Sequence, residues 1–279
     1  MKKTVTLALS LLLAMNLLTG CSTAGAPVGT DPSSKDANQT SSQSSMEAET
    51  STGNFTDEMK MAYAADLSPD DGADSVERQA DVKNSPYFTS NDYYNMTSTD
   101  TLTILPKFQT IQQTSEWSCG VTSAMMVLNY YGKLGDWNEA SLAELRRDNT
   151  PSATTLRQAM DIFDGVGGFT YTTTYDFEDL EQIDLTMIQD YLKDGVPVMI
   201  AWNDWGGHWQ IIIGYDTMGT ETLADDVIIV ADPYDTTDHN QDGYGVYPAE
   251  RFFYNWTMYD FFENDPNDKL FLAAKPVEE

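Results

Sequence analysis

One cysteine at the predicted start of a helix is the residue best suited to nucleophilic chemistry. Cys119 follows a polar turn and begins a run with apolar residues at positions 121, 124, 125 and 128, and Gly132 would end this helix. The thiol falls in the first turn, where unpaired N–H groups and the helix dipole favour a thiolate. Gln113, six residues earlier, could return its side-chain amide to the same place. A thiolate beside a hydrogen-bond donor is the arrangement of an acyl-transfer site.

Two histidines are available as a general base, His208 and His239. His208 follows Gly206-Gly207 and begins a strongly apolar predicted strand, whereas His239 lies in a polar, Asp-rich loop. Glycines at that point let another backbone or a substrate approach closely. A histidine at a strand end also fits a structural role, but the accompanying glycines and the candidate nucleophile favour His208 as the base.

A general base needs a third group that holds its tautomer. Asp232 stands at the C-terminal end of the predicted strand that follows the His208 strand. If the two strands are antiparallel neighbours, the start of one and the end of the other lie side by side. Asp232-Pro233 also fits a turn that ends a strand, and the two interpretations are compatible.

Three short segments carry these residues in a fixed order: Gln113-Thr114-Ser115-Glu116-Trp117-Ser118-Cys119-Gly120, then Gly207-His208-Trp209, then Ala231-Asp232-Pro233-Tyr234. Together they resemble the papain-like cysteine peptidases, and among these the bacterial double-glycine leader peptidases and their stand-alone relatives. The resemblance covers residues 100–275. It implies Cys119 as nucleophile, His208 as general base and acid, Asp232 as the carboxylate that orients His208, and Gln113 with the Cys119 backbone N–H as oxyanion-hole donors.

The resemblance implies a cysteine peptidase that acts on peptide or protein substrates and requires no cofactor. A transglutaminase-like acyltransferase would use the same Cys, His and Asp, and the position of Gln113 favours the peptidase over it. A non-enzymatic alternative is an acidic lipoprotein that binds peptide or calcium, in which Cys119 is inert. Leader peptidases are usually fused to a transporter, so the resemblance indicates the thiol chemistry more strongly than leader removal during export.

The hydrophobic pattern predicts an α+β fold with a helical first half, an antiparallel second half and the active site between them. Beyond the Cys119 helix, we predict helices over 139–147, 153–163 and 185–193, the second stopped by the glycines at 165–168. Predicted strands cover 169–175, 196–202, 208–215, 227–231 and 270–274. Residues 252–262 fit a packed helix or an edge strand, and residues 85–105 an irregular lead-in.

The N-terminal residues predict export and a lipid anchor. Lys2 and Lys3 precede a short apolar segment that ends in Leu18-Thr19-Gly20-Cys21, which resembles the bacterial lipoprotein box. This implies cleavage before Cys21, a lipid on Cys21 and attachment to the outer face of the cell membrane. Accordingly, we assign residues 1–20 to the signal peptide, 21–53 to the lipidated cysteine and a flexible linker, 54–100 to an N-terminal extension and 101–279 to the peptidase domain.

The net charge disfavours two classes of partner, and the cysteine count bears on the role of Cys119. With 15 Lys and Arg against 44 Asp and Glu, the net charge is -29, which disfavours nucleic acid and anionic lipid as partners. The sequence has 2 cysteines. Once Cys21 carries lipid, Cys119 has no partner for an intrachain disulfide, which favours a reactive role for its thiol.

A second motif suggests calcium. The segment Asp238-His239-Asn240-Gln241-Asp242-Gly243 matches the start of an Asp-x-Asn-x-Asp-Gly calcium loop, with Asp238, Asn240 and Asp242 as candidate ligands. The twelfth position of such a loop is Ala249, however, and Pro248 lies within it. A solvated Asx-rich turn therefore stays the main alternative to a calcium site.

Overall fold

The computed structural model describes residues 91–148, 150–236, 241–263 and 265–278. The predicted signal peptide, Cys21, the linker and residues 54–90 of the predicted extension lie outside these ranges. No helix within the described ranges is both long enough and apolar enough to span a membrane.

The described chain contains α-helices and β-strands in mixed order. The helices are α1 (Cys119–Tyr130), α2 (Glu139–Glu144), α3 (Leu156–Val166), α4 (Leu185–Lys193) and α5 (Ala249–Tyr254). The strands are β1 (Leu102–Ile104), β2 (Phe169–Thr173), β3 (Val198–Trp202), β4 (His208–Asp216), β5 (Val227–Ala231), β6 (Tyr244–Pro248) and β7 (Leu270–Pro276).

The seven strands form one antiparallel sheet in the order β2-β7-β3-β4-β5-β6. Strand β1 pairs with the end of β4, on the side of β4 opposite β5. Helices packed against an antiparallel sheet confirm the predicted α+β class. Strand β4 is buried along nearly its whole length, and helices α1 and α4 pack on it.

Helix α1 is the buried helix that packs on β4. Its residues from Cys119 to Leu128 are all buried, as the apolar spacing predicts. At Gly120, an added Cβ would lie 2.6 Å from the Cβ of Thr154 and 3.0 Å from the Trp209 ring, so the missing side chain permits this close packing. Ser123 Oγ also donates to the Trp209 carbonyl at 3.3 Å. These contacts set the distance between the start of α1 and the start of β4.

The end of α1 is a Schellman motif built on Gly132, as predicted for a C-terminal cap. The Lys133 N–H donates to the Leu128 carbonyl at 2.8 Å, and the Gly132 N–H to the Asn129 carbonyl at 2.9 Å. Gly132 has a φ of +64°, in the left-handed region that other residues adopt at a cost.

Several element boundaries differ from the sequence prediction. Helix α3 continues through Gly165, which packs directly against Leu145, and it ends at Gly167 with a φ of +76°. The end predicted at residue 163 was therefore wrong. Strands β1 and β6 were missed, since β1 has only 3 residues and β6 contains Gly245 and Pro248.

We expect Gly132→Ala to lower the free energy of unfolding by about 1 kcal/mol, because a Cβ strains the left-handed backbone. No atom lies within 4 Å of the added Cβ, so steric overlap contributes nothing. Gly132→Asn should cost less, since asparagine tolerates this conformation better. Urea denaturation of both variants measures the difference, and equal stability of Gly132→Ala and the unsubstituted protein would contradict the cap.

Candidate active site

His208 and Asp232 meet at one end of the sheet. His208 is the first residue of β4, and Asp232 directly follows β5. Because Ile211 pairs with Ala231, Asp232 is level with Gln210 on the neighbouring strand. The His208 Nε2 lies 2.7 Å from the Asp232 Oδ1, and both side chains are buried.

His208 and Asp232 each shift the pKa of the other in the direction that favours its charged form. Burial by itself would lower the pKa of His208, but the charge of Asp232 and hydrogen bonds to Asp232 and Cys119 raise it to about 10. Burial would likewise raise the pKa of Asp232, but the charge and hydrogen bond of His208, with hydrogen bonds from Tyr234 and Gln210, lower it. At neutral pH the pair is therefore an imidazolium and a carboxylate.

Cys119 occupies the other side of the His208 ring. It is the first residue of α1, and its side chain is close enough to His208 to contribute to the raised pKa of the imidazole. Since Nε2 faces Asp232, the Nδ1 of the ring is the atom left for Cys119. The first turn of α1 contains no acidic residue, so none of its side chains places a carboxylate in the turn that carries the thiol. The structure thus brings Cys119, His208 and Asp232 together.

The segment before Cys119 is attached to the end of β5. The Gln113 N–H donates to the Pro233 carbonyl at 2.8 Å, and Gln112 Nε2 to the Asp232 carbonyl at 3.3 Å. Gln113 is buried, and its Nε2 donates to the Ser115 carbonyl at 2.6 Å. A primary amide carries two N–H donors, so Ser115 takes only one of them.

Glu139, for which we had predicted no role, holds the same segment through its buried carboxyl group. Its Oε2 accepts from Thr114 Oγ1 at 2.8 Å, and its Oε1 accepts from Thr122 Oγ1 at 3.0 Å and from the Thr114 N–H at 3.2 Å. Ser118 makes a further hydrogen bond to this carboxyl group, whose pKa is raised by burial in spite of these bonds. Glu139 therefore couples Thr114, which directly follows Gln113, to the first turn of α1.

Gln210 and Tyr234 also contact the pair, and we had not predicted a role for either. Gln210 Nε2 donates to Asp232 Oδ2 at 2.7 Å, and the Tyr234 N–H donates to Asp232 Oδ1 at 2.7 Å. The Tyr234 ring also stands edge-on to His208, with centroids 6.5 Å apart. One signal in the sequence was available: Gln210 is a polar residue inside an apolar strand, two residues after His208 and thus on the same face.

Three tryptophans close in sequence to Cys119 or His208 occupy different environments. Trp209 belongs to the core, where its Nε1 donates to the Thr154 carbonyl at 2.7 Å. Trp117 lies under the guanidinium of Arg146, at 4.8 Å from the ring centroid. Trp205 is 63% exposed and packs beside Tyr234, so of the three it is the one presented to solvent near His208.

The proposed calcium ligands are only partly within the described ranges, which exclude Asp238 and Asn240. Asp242 is buried, and its Oδ1 accepts from the Tyr244 N–H at 3.1 Å. Among the described residues no group of three or more His, Cys, Asp or Glu side chains is arranged to hold a metal. The calcium site stays a prediction.

The fold and the site define a class of protein with a buried Cys-His-Asp cluster between a helix start and an antiparallel sheet. A model of the Peptidase_C39 like family matches residues 105–262. That range covers more than half of the chain, and the chain belongs to this family, in agreement with the predicted resemblance to papain-like peptidases.

Two solved structures are similar to the chain at low identity. The peptidase domain of Streptococcus ComA, a bi-functional ABC transporter of a quorum-sensing pathway, is 17% identical, with 61% of this chain and 99% of that chain covered and a TM-score of 0.42. A double glycine motif protease from an AMS/PCAT transporter, in complex with the leader peptide, is 21% identical, with 64% and 96% covered and a TM-score of 0.37. No curated protein matches the chain.

The raised pKa of His208 predicts a pH-dependent stability. A histidine with a raised pKa stabilises the fold fully below its unfolded value of about 6.5, and this contribution is lost as pH rises through the folded value of about 10. The lowered pKa of Asp232 acts in the opposite direction, at acid pH.

Between pH 6.5 and pH 10 we therefore expect the unsubstituted protein to lose stability faster than Asp232→Asn, which lacks the carboxylate that raises the pKa of His208. Urea denaturation at a series of pH values measures both slopes. Parallel slopes would show that His208 and Asp232 do not form a charged pair.

Proposed function

We propose that this protein is a cysteine peptidase that hydrolyses peptide bonds through Cys119, His208 and Asp232. The observation that carries the proposal is the position of His208, which is close enough to Cys119 to interact with it and lies 2.7 Å from Asp232, in a chain of the Peptidase_C39 like family. A buried thiol beside an imidazolium, itself fixed by a carboxylate, is the pairing that activates a cysteine nucleophile.

In the first step, the Cys119 thiolate forms a bond to the carbonyl carbon of the scissile peptide, and the carbonyl π electrons move to its oxygen. The Cys119 N–H and the second N–H of the Gln113 side chain are the donors proposed for this oxyanion. The hydrogen bond from Gln113 to Ser115 supports this role, because it fixes the amide before substrate arrives.

In the second step, the oxyanion collapses and the C–N bond breaks. His208 delivers its Nδ1 proton to the leaving amine, which departs as a neutral amine, and Cys119 is left as a thioester. Neutral His208 then removes a proton from water, whose oxygen forms a bond to the thioester carbon. The C–S bond breaks, the carboxylic acid leaves, and the Cys119 thiolate and the His208 imidazolium are restored. Asp232 retains its charge throughout and stabilises the imidazolium in both steps.

The proposed substrates are peptides or proteins, and no cofactor takes part in these steps. We also propose that the protein acts at the outer face of the cell membrane, attached through lipid on Cys21. The support for this location is the Leu18-Thr19-Gly20-Cys21 segment after a basic and apolar N-terminus.

Substituting the two histidines in turn shows which of them acts as the general base. Screening of the full chain against a peptide library first supplies a cleaved substrate. We then expect Cys119→Ala and His208→Ala to lower kcat/KM about a thousand-fold or more, because each removes a participant in the acyl-transfer step. His239→Ala, at the other histidine of the chain, should leave kcat/KM unchanged.

Gln113→Ala refines the test, because loss of an oxyanion donor should lower kcat by about 100-fold or more with little change in KM. Product masses distinguish hydrolysis from acyl transfer to an added primary amine. Incorporation of the amine would show that the protein is an acyltransferase and not a peptidase. Cleavage retained in Cys119→Ala would overturn the proposed mechanism.

The anchor is tested independently of activity. Cells that express the full chain and are fed an alkyne-tagged fatty acid should incorporate the tag, and the tag should map to Cys21. Cys21→Ala should abolish incorporation and release the protein from the membrane fraction, whereas Cys119→Ala should alter neither. Incorporation that persists in Cys21→Ala would rule out the proposed lipid site.

A further inference from the structure

Gln210 is a buried polar side chain next to the catalytic pair. It is 0% exposed and lies between Trp209 and Ile211 on the central strand β4. A buried amide is unfavourable unless its donors and acceptor are paired. Its partners are Asp232 after β5, Trp202 on β3, Asp204 in the turn after β3 and Tyr247 on β6. The amide therefore connects the pair to the surrounding sheet.

The orientation of the Gln210 amide is fixed by Trp202. The Trp202 Nε1 lies 2.7 Å from the Gln210 Oε1, and an indole N–H can only donate. The amide oxygen must therefore face Trp202, which directs the amide nitrogen to Asp232 Oδ2 at 2.7 Å. Trp202 is itself held edge-on between Tyr247 and Phe252, with centroid distances of 5.1 and 5.2 Å.

The same nitrogen reaches a second carboxylate. Gln210 Nε2 lies 3.2 Å from Asp204 Oδ2, and Tyr247 donates its hydroxyl to that oxygen at 3.1 Å. Burial and the charge of Asp232 raise the pKa of Asp204, against the opposing influence of His208. Gln210 thus places N–H groups where two carboxylates come close together, and it lowers their mutual repulsion.

Both oxygens of Asp232 are consequently occupied. Oδ1 accepts from the Tyr234 N–H and faces His208, while Oδ2 accepts from Gln210. A carboxylate with only Oδ1 bound could still rotate about its Cβ–Cγ bond. The Gln210 contact removes that freedom and holds Oδ1 toward His208.

We propose that Gln210, locked by Trp202 and shared with Asp204, is a positioning residue that holds Asp232 in the orientation needed to keep His208 charged beside Cys119. This role rests on the proposed peptidase function. It acts through Asp232 and involves no contact with substrate.

The test uses the full chain with Gln210→Leu, which removes the donors, and Gln210→Glu, which keeps the shape but presents an acceptor to Asp232. At neutral pH we expect both to lower kcat/KM about 10- to 100-fold, as for loss of a hydrogen bond to a buried charge. As pH is lowered, the loss in Gln210→Glu should shrink relative to Gln210→Leu. The introduced carboxyl, once protonated, can accept from Trp202 and donate to Asp232 as the amide does.

Gln182→Glu is the matched control, because the same change at an exposed position should leave kcat/KM unchanged at every pH. A second readout does not depend on peptidase activity: the rate at which iodoacetamide alkylates Cys119, followed by peptide mass mapping. This rate should fall in both Gln210 variants toward the rate of His208→Ala, since a displaced Asp232 holds less positive charge on His208 beside the sulfur.

Wild-type rates of cleavage and alkylation in both folded Gln210 variants would overturn the proposal. If the unsubstituted protein cleaves no peptide but alkylation still slows in these variants, the positioning role stands and the peptidase function fails. If thermal melting shows that neither variant folds, Trp202→Phe decides. Phenylalanine keeps an aromatic side chain at position 202 but lacks the indole N–H, so the Gln210 amide is free to turn. Alkylation of Cys119 should then slow severalfold, and an unchanged rate would overturn the proposal.

Discussion

The burial of a carboxylate, Asp232, beside an imidazole is the constraint on which the rest of the site depends. Removal of a charged group from water is strongly unfavourable unless an opposite charge and hydrogen bonds replace the lost solvation. His208 supplies the charge, and Tyr234 and Gln210 supply the further donors. Because these groups come from the start of β4, its interior and the turn after β5, the pairing of the two strands must be correct before Asp232 can be buried.

A second buried carboxylate fixes the nucleophile side of the site. Glu139 has no cation among the partners given above and accepts hydrogen bonds from Thr114, Ser118 and Thr122 instead. The same loop is joined to the end of β5 through the Gln113 N–H and the Pro233 carbonyl. The helix that carries Cys119 and the strand that ends at Asp232 are therefore held at a set distance by the backbone, independently of the catalytic side chains.

These contacts explain why the site tolerates so much exposed charge elsewhere. The chain has a net charge of -29, yet Asp232 and Glu139 are surrounded by donors, and the first turn of α1 contains no acid. The acidic excess therefore adds no carboxylate to the first turn of α1, where the nucleophile lies.

Elements with strong local signals could be predicted from the amino-acid sequence. Helix α4 from Leu185 to Lys193 and strand β5 from Val227 to Ala231 have the predicted bounds, because a capping residue, a terminal glycine or a β-branched run defines each. The apolar patterns beside Cys119, His208 and Asp232 also sufficed to predict a helix start, a strand start and a strand end at these residues. These are properties of neighbouring residues, which a linear pattern records.

Contacts that join distant residues became visible only in the folded chain. Strand β1 has 3 residues and exists because it pairs with Gly214, Tyr215 and Asp216, more than a hundred positions away. The roles of Gln210 and Glu139 likewise depend on which donors the folded chain brings to them, since an isolated Gln or Glu carries no sign of its partners. Hydrogen bonds of this kind form only after the backbone has closed the long loops between them, so no local pattern encodes them.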